Sequence, residues 1–307
     1  LISGNSRIAF LATAGCSLGV LVGGLLAFDW PPARGRDAMS LAGFLTLRAN
    51  SRLGSVATWI THAAATPLPF VLLGVLLVAV AVARGLSRLA AAAAIAIAGA
   101  SGTSELLKQV LARPRYSSLV GLSHQIAAAS FPSGHATAAM AVALCGVLVA
   151  PPLIRPLAAV LGTALALAVG YSVLIVGWHY PSDVLGGFLV AGAWVSLTLG
   201  LLWSREPTQC SRQRPPAPVS APRGATLLVA ALAAAGVAGL IAASGVAPTH
   251  AHVDGSLIDG AVAIAVLAVA MNSSLVMALR PRSRSARGRA GAGEAAPTVS
   301  PGSSQGA

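Results

Sequence analysis

Gly177-Trp178-His179-Tyr180-Pro181-Ser182-Asp183 joins two apolar runs, residues 157–176 and 184–203, and its reading decides how the chain is laid out. Proline suits the first turn of a helix and not its interior, so the spacing predicts a helix start near Pro181. His179 then lies just outside that helix and Asp183 in its first turn. In that arrangement the carboxylate accepts a hydrogen bond from one imidazole nitrogen and leaves the other free to attack. A membrane-interface histidine beside a helix-start aspartate is also a common structural feature. Taken alone, the stretch leaves both readings open.

Working outward, the composition sets the class. Of 307 residues, 56% are hydrophobic and 9% charged. With several apolar runs near bilayer-spanning length, the expected fold is an all-α polytopic membrane protein. The net charge of +12 sits between apolar runs and in tails. That placement favours membrane orientation and argues against a nucleic-acid partner. Cys16, Cys145 and Cys210 are odd in number and far apart, so neither a disulfide framework nor a zinc site is expected. The run 8–28 carries no charge and no small-x-small cleavage signal, and is expected to be a retained helix.

The remaining spans follow in order. Span two is expected within 53–83, centred on 69–80, and span three over 89–107. Span four runs from about Pro132 to before Pro151, span five over 157–176 and span six over 184–203. The segment 29–52 reads as a loop whose middle, 39–47, suits a short interfacial helix. These elements form a six-span membrane domain, residues 1–203. A cytoplasmic linker (204–224) rich in Pro, Arg, Gln and Ser follows. Two additional transmembrane helices occupy 225–280, near 225–243 and 260–279, with His250, His252 and Asp254 in the loop between them. A disordered basic tail, 281–307, completes the layout.

Charge orients the spans. With the N-terminus inside, thirteen of the twenty basic residues face the cytoplasm: Arg7, Arg84, Arg88, Arg155, four within 205–223 and five within 280–289. Arg34, Arg36, Arg48, Arg52, Lys108, Arg113 and Arg115 face out. The positive-inside rule favours this arrangement, a multi-pass protein of the cell membrane with 108–131 and 177–183 on the same outer face.

Three clusters meet on that face. Lys108 and Arg115 supply cations for a phosphoryl group, the arginine with bidentate geometry. Pro132-Ser133-Gly134 opens a helix whose free N–H groups face an anion, and Gly134 lets the backbone come close. His135 is placed to protonate a leaving oxygen, and His179, held by Asp183, to attack phosphorus. A basic loop and a helix cap would each explain one cluster, but not all three at one face. Lys108 is the only lysine in the chain, against nineteen arginines. No carboxylate cluster of metal-binding kind accompanies these residues, so metal-independent phosphoryl transfer without a cofactor is expected.

These residues resemble the type-2 phosphatidic acid phosphatase family, the lipid phosphate phosphatases. Its signature is Lys-x6-Arg-Pro, then Pro-Ser-Gly-His, then Ser-Arg-x5-His-x3-Asp. Here the first part runs from Lys108 to Arg115, with Tyr116 in place of the final proline. The second is complete at Pro132 to His135, and the third runs from Ser172 through His179 to Asp183, with Val173 at the arginine position. The resemblance covers about residues 53–203. It implies a six-helix membrane bundle with an outward-facing site. It also implies a phosphohistidine at His179, acid catalysis by His135, and phosphate binding by Lys108, Arg115, Ser133 and Gly134. The partners implied are membrane lipids and a substrate that is a lipid phosphate or polyprenyl diphosphate. Val173 removes one charge-assisted bond, which costs roughly 2–4 kcal/mol in the transition state unless Arg113 replaces it. A weakened or inactive head-group binder, and a phosphotransferase, are the alternatives. Glu105 is expected to pair with Lys108, while His62 and His124 read as interface or loop residues.

Overall fold

The computed structural model describes residues 4–111, 129–205 and 251–279, with side chains from Ser256 onward in the last stretch. Its described part is all-helical, with no strand. The helices are α1 (Gly4–Asp29), α2 (Pro31–Leu47), α3 (Ser51–Ala64), α4 (Leu68–Ala83), α5 (Ser87–Leu111), α6 (Gly134–Val149), α7 (Arg155–Ile175), α8 (Pro181–Ser204) and α9 (Ala251–Ala278). The expected linker beyond residue 205, the span at 225–243, the basic tail, His124, His250 and the cluster Arg113, Arg115 and Tyr116 lie outside the described residues.

Five helices, α1, α5, α7, α8 and the Ser256–Ala278 part of α9, are long and apolar enough to cross a bilayer singly. The pair α3 and α4 passes the same test together but bends by 66° at its break. By length and composition these helices are those of a multi-pass membrane protein. Helix α6 is apolar but has only 16 residues.

Packing is set by residue size more than by hydrophobicity. In α4 (LPFVLLGVLLVAVAVA) only Phe70, Gly74 and Ala81 are buried. In α6 (GHATAAMAVALCGVLV) most side chains are buried, many of them Ala. Lipid tails are as apolar as leucine, so hydrophobicity does not choose which helix goes inside; small side chains do, because they let backbones approach. Helix α6 accordingly sits in the middle, touching α4, α5, α7, α8 and α9.

Two expectations need correction. The segment 29–52 is not a loop with a short interfacial helix. Helix α2 begins at Pro31, a favoured first-turn proline, and its Phe44 and Leu47 are fully buried. Phe44 stacks on Tyr171 at 5.8 Å, and α2 packs against α7 and α9. Likewise, α9 starts at Ala251 rather than near residue 260, so His252 and Asp254 lie on helix and not in a loop. Helix α9 is also built into the bundle. The Tyr171 hydroxyl donates to the Ala261 carbonyl at 2.8 Å.

Both ends of the bundle are defined by polar contacts. At one end Arg84 donates to the Val149 carbonyl, and Arg155 donates to Ala150 O at 3.1 Å and Leu279 O at 2.8 Å. At the other end the α7–α8 seam meets the start of α6.

Candidate active site

The seam is shaped by two helix signals. Helix α7 ends with Gly177 at φ +80°, whose N–H donates to Leu174 O, while Trp178 N–H donates to Val173 O. This six-to-one and five-to-two pairing ends a helix sharply and needs a residue tolerant of positive φ, which glycine is. Helix α8 then starts at Pro181 with Tyr180 as its N-cap, as the sequence predicts. Only three residues, Trp178 to Tyr180, separate the turn from the new helix.

His179 is buried between these ends. Its Nδ1 lies 3.1 Å from the Ser130 carbonyl oxygen and 3.4 Å from Asp183 Oδ2. A carbonyl only accepts, so the bond to Ser130 puts a proton on Nδ1, and in the neutral imidazole Nε2 is then the unprotonated nitrogen. Asp183 is fully buried, and its Oδ2 accepts the Tyr180 N–H at 2.9 Å. Asp183, expected to hold the imidazole, lies 3.4 Å from Nδ1 and shares that nitrogen with a second acceptor. The nearer acceptor is the Ser130 carbonyl, and Asp183 also caps the helix on which the seam depends. A backbone carbonyl carries no side-chain signature, so Ser130 was not legible as a site residue.

The Pro-Ser-Gly-His stretch is tied to the same seam. Ser133 N-caps α6, its hydroxyl accepting the Ala136 N–H at 3.4 Å. Its own N–H donates to the Asp183 carbonyl at 2.9 Å. The Ser133 N–H is thus committed to the fold, which leaves Gly134 and His135 as first-turn donors without an intrahelical carbonyl. The His135 ring lies 6.2 Å from the His179 ring and 5.6 Å from that of Trp178, centroid to centroid.

Lys108 completes the described site. It lies in the last turn of α5 and bonds Glu105 at 2.6 Å, the pair expected from their spacing. Its ammonium reaches the first turn of α6. A Cβ on Gly134 would stand 2.7 Å from Lys108 Nζ and 2.9 Å from Glu105 Oε1. Glycine is needed there for that approach. The structure thus brings Lys108, Ser133, Gly134, His135, His179 and Asp183 to one end of the bundle, as separate parts of the chain. Val173, at the expected arginine position, is fully buried and packed in the core. An arginine there would have to be buried too.

Residues 89–207, which hold most of the bundle's polar end, match the family model of the PAP2 superfamily. The matched stretch contains all three motifs, from Lys108 to Asp183. Over 110 residues the chain is 36% identical to a lipid A 1-phosphatase of Rhizobium johnstonii, an alignment spanning 33% of this chain and 43% of that relative. The fold is similar to that of a transmembrane PAP2-type phosphatidylglycerolphosphate phosphatase from Bacillus subtilis. There the TM-score is 0.53 at 20% identity, over 64% of this chain and 98% of that one.

Proposed function

We propose that the protein is a membrane phosphatase that hydrolyses a lipid phosphate or diphosphate through a phosphohistidine at His179. The observation that carries this is the state of His179. Its Nδ1–H is given to a carbonyl, so Nε2 is the nucleophilic nitrogen, and the His135 ring stands 6.2 Å away. The gap between the rings suits a phosphoryl group between nucleophile and acid.

In the proposed reaction Nε2 attacks phosphorus as the bond to the leaving oxygen breaks. His135 gives that oxygen its proton. Water then attacks phosphorus, losing a proton to His135, as the Nε2–P bond breaks and phosphate leaves His179. Lys108, the first-turn N–H groups of α6 and Arg115 would carry the charge on the equatorial oxygens. No metal or cofactor has a role in this scheme. The relatives act, by their names, on lipid A and phosphatidylglycerolphosphate; a phosphate ester at the head of a lipid is the shared chemistry. The charge asymmetry of the loops supports an outward-facing site in the cell membrane.

A head-group binder without catalysis is a second reading, favoured by the buried Val173 where the motif has arginine. Transfer of the phosphoryl group to an acceptor other than water is a variant of the first. The test is phosphate release by purified protein in detergent. The substrates are phosphatidate, phosphatidylglycerophosphate, lipid A 1-phosphate and a polyprenyl diphosphate, with an acid quench to trap phosphoenzyme. Release from at least one substrate, with loss of both release and phosphoenzyme in His179→Ala, is expected. Release unchanged in His179→Ala would end this mechanism. Impermeant labelling of single cysteines at 118 and 213 in intact cells checks the orientation, with labelling expected at 118 only.

A further inference from the structure

A buried carboxylate on a different helix grips the start of α8. Asp37 lies on α2 and is 8% exposed. Its Oδ1 accepts the Ser182 backbone N–H at 3.0 Å, and its Oδ2 accepts the Ser182 hydroxyl at 2.6 Å. Ser182 is the second residue of α8, immediately before Asp183 and three after His179. The first-turn N–H groups of a helix have no partner within it, and the positive end of the helix dipole favours an anion. A carboxylate engaged at two points also fixes orientation, since both of its oxygens are committed.

The grip is braced from behind. Ser40, three residues on from Asp37, meets Gly260 of α9 so closely that a Cβ there would collide with its hydroxyl. The same Cβ would stand 3.5 Å from Pro181. Helices α2 and α9 thus close on the seam together, and both lie outside the stretch 89–207 that matches the family model.

We propose that Asp37 is a positioning residue of the phosphatase site. Through Ser182 it holds the first turn of α8 so that Nε2 of His179 stays aimed at phosphorus. The inference rests on the reading of His179 as nucleophile. Asp37 does not touch the phosphate in this scheme. Lys108 and the start of α6, which bind it, are on other elements. Loss of the grip therefore lowers the rate of the chemical step and spares substrate binding.

The experiment measures phosphate release in detergent micelles by the full chain, with kcat and KM separated, from whichever of the four substrates above the wild type hydrolyses fastest. The set is wild type, Asp37→Ala, Asp37→Asn, Ser182→Ala and the His179→Ala control. Asp37→Ala is expected to lose about 10- to 100-fold in kcat with KM within about threefold, the scale of a small misplacement of a reacting group. Asp37→Asn keeps an acceptor for the Ser182 N–H and is expected to recover most of that loss. Ser182→Ala keeps the N–H bond, and about 3- to 10-fold in kcat is expected. A wild type that releases no phosphate from any of the four substrates, or a fully active His179→Ala, removes the underlying reading and this role with it. An active wild type beside an Asp37→Ala with kcat within about twofold, or with the loss carried by KM, overturns the positioning role alone. Should Asp37→Ala not fold, Ser182→Ala decides by the same criteria.

Discussion

The two ends of α6 both meet cations, in opposite electrostatic senses. At the C-terminal end Arg84 and Arg155 donate to the carbonyls of Val149 and Ala150. The dipole is negative there, so cation and helix attract, and the end is complete as it stands. At the N-terminal end Lys108 brings its ammonium against the first turn, where the dipole is positive. Glu105 offsets part of that charge but is 64% exposed to solvent. The difference teaches which end is structural. The arginines satisfy the helix, whereas the lysine opposes it and makes sense where a dianion joins the group.

Substitutions can break or sharpen that contrast. The largest effect is expected from His179→Ala, which removes the proposed nucleophile. Phosphate release should fall by at least about 10³-fold, to background, with helical content and melting temperature kept. Release persisting near wild type would detach the lysine end from any chemistry at His179.

Lys108→Met should follow. It removes the cation that the proposed mechanism aims at developing charge, so about 10²–10³-fold in kcat/KM is expected. Its melting temperature should hold or rise slightly, because a charge opposed to the helix dipole is gone and the broken pair with Glu105 is largely exposed. Thermal unfolding in detergent beside the rate measurement checks both. A clear drop in stability would make Lys108 structural.

Gly134→Ala is expected to cost about tenfold in kcat/KM. The new methyl meets the ends of two flexible side chains, Lys108 and Glu105, which can swing away without unfolding the helix. Rate loss with an unchanged melting curve is the expected result.

Arg155→Met should give the converse. It removes two charge-assisted bonds to carbonyls, so about 1–3 kcal/mol of stability is expected to go, with kcat/KM within about threefold. If activity falls as far as in Lys108→Met, the two ends are not separate.

Much of this was legible in the sequence because helix signals and charges are local. Pro181 marked the start of α8, and the motif residues Lys108, Gly134, His135, His179 and Asp183 were legible from type and spacing alone. Spans one, three, five, six and the last were legible from apolar runs, whereas the expected span two is a pair of helices bent by 66° and span four only 16 residues long. What hydropathy does not encode is which apolar face meets protein. The polar, arginine-bearing segment around α2 read as loop and interface, yet its Phe44 and Leu47 are buried against neighbours distant in sequence. The helical extension of α9 back to Ala251 was masked by His252 and Asp254, which read as loop residues. The Ser130 carbonyl and the Asp37 grip depend on three-dimensional approach, and no local pattern announces them.

Helix α6 has a consequence for where the reaction is counted. Sixteen residues rise about 24 Å, roughly 6 Å less than a hydrocarbon core of about 30 Å. A helix of this length with its arginine end at one membrane surface would leave the Gly134 end below the other. In the proposed reaction a head group would then reach the site by sinking slightly, its chains staying in the bilayer. For the proposed reaction the controlling quantity is a two-dimensional density, molecules of substrate per unit of membrane area. Diluting the bilayer or micelle with inert lipid would slow the protein, while diluting the suspension with buffer would not.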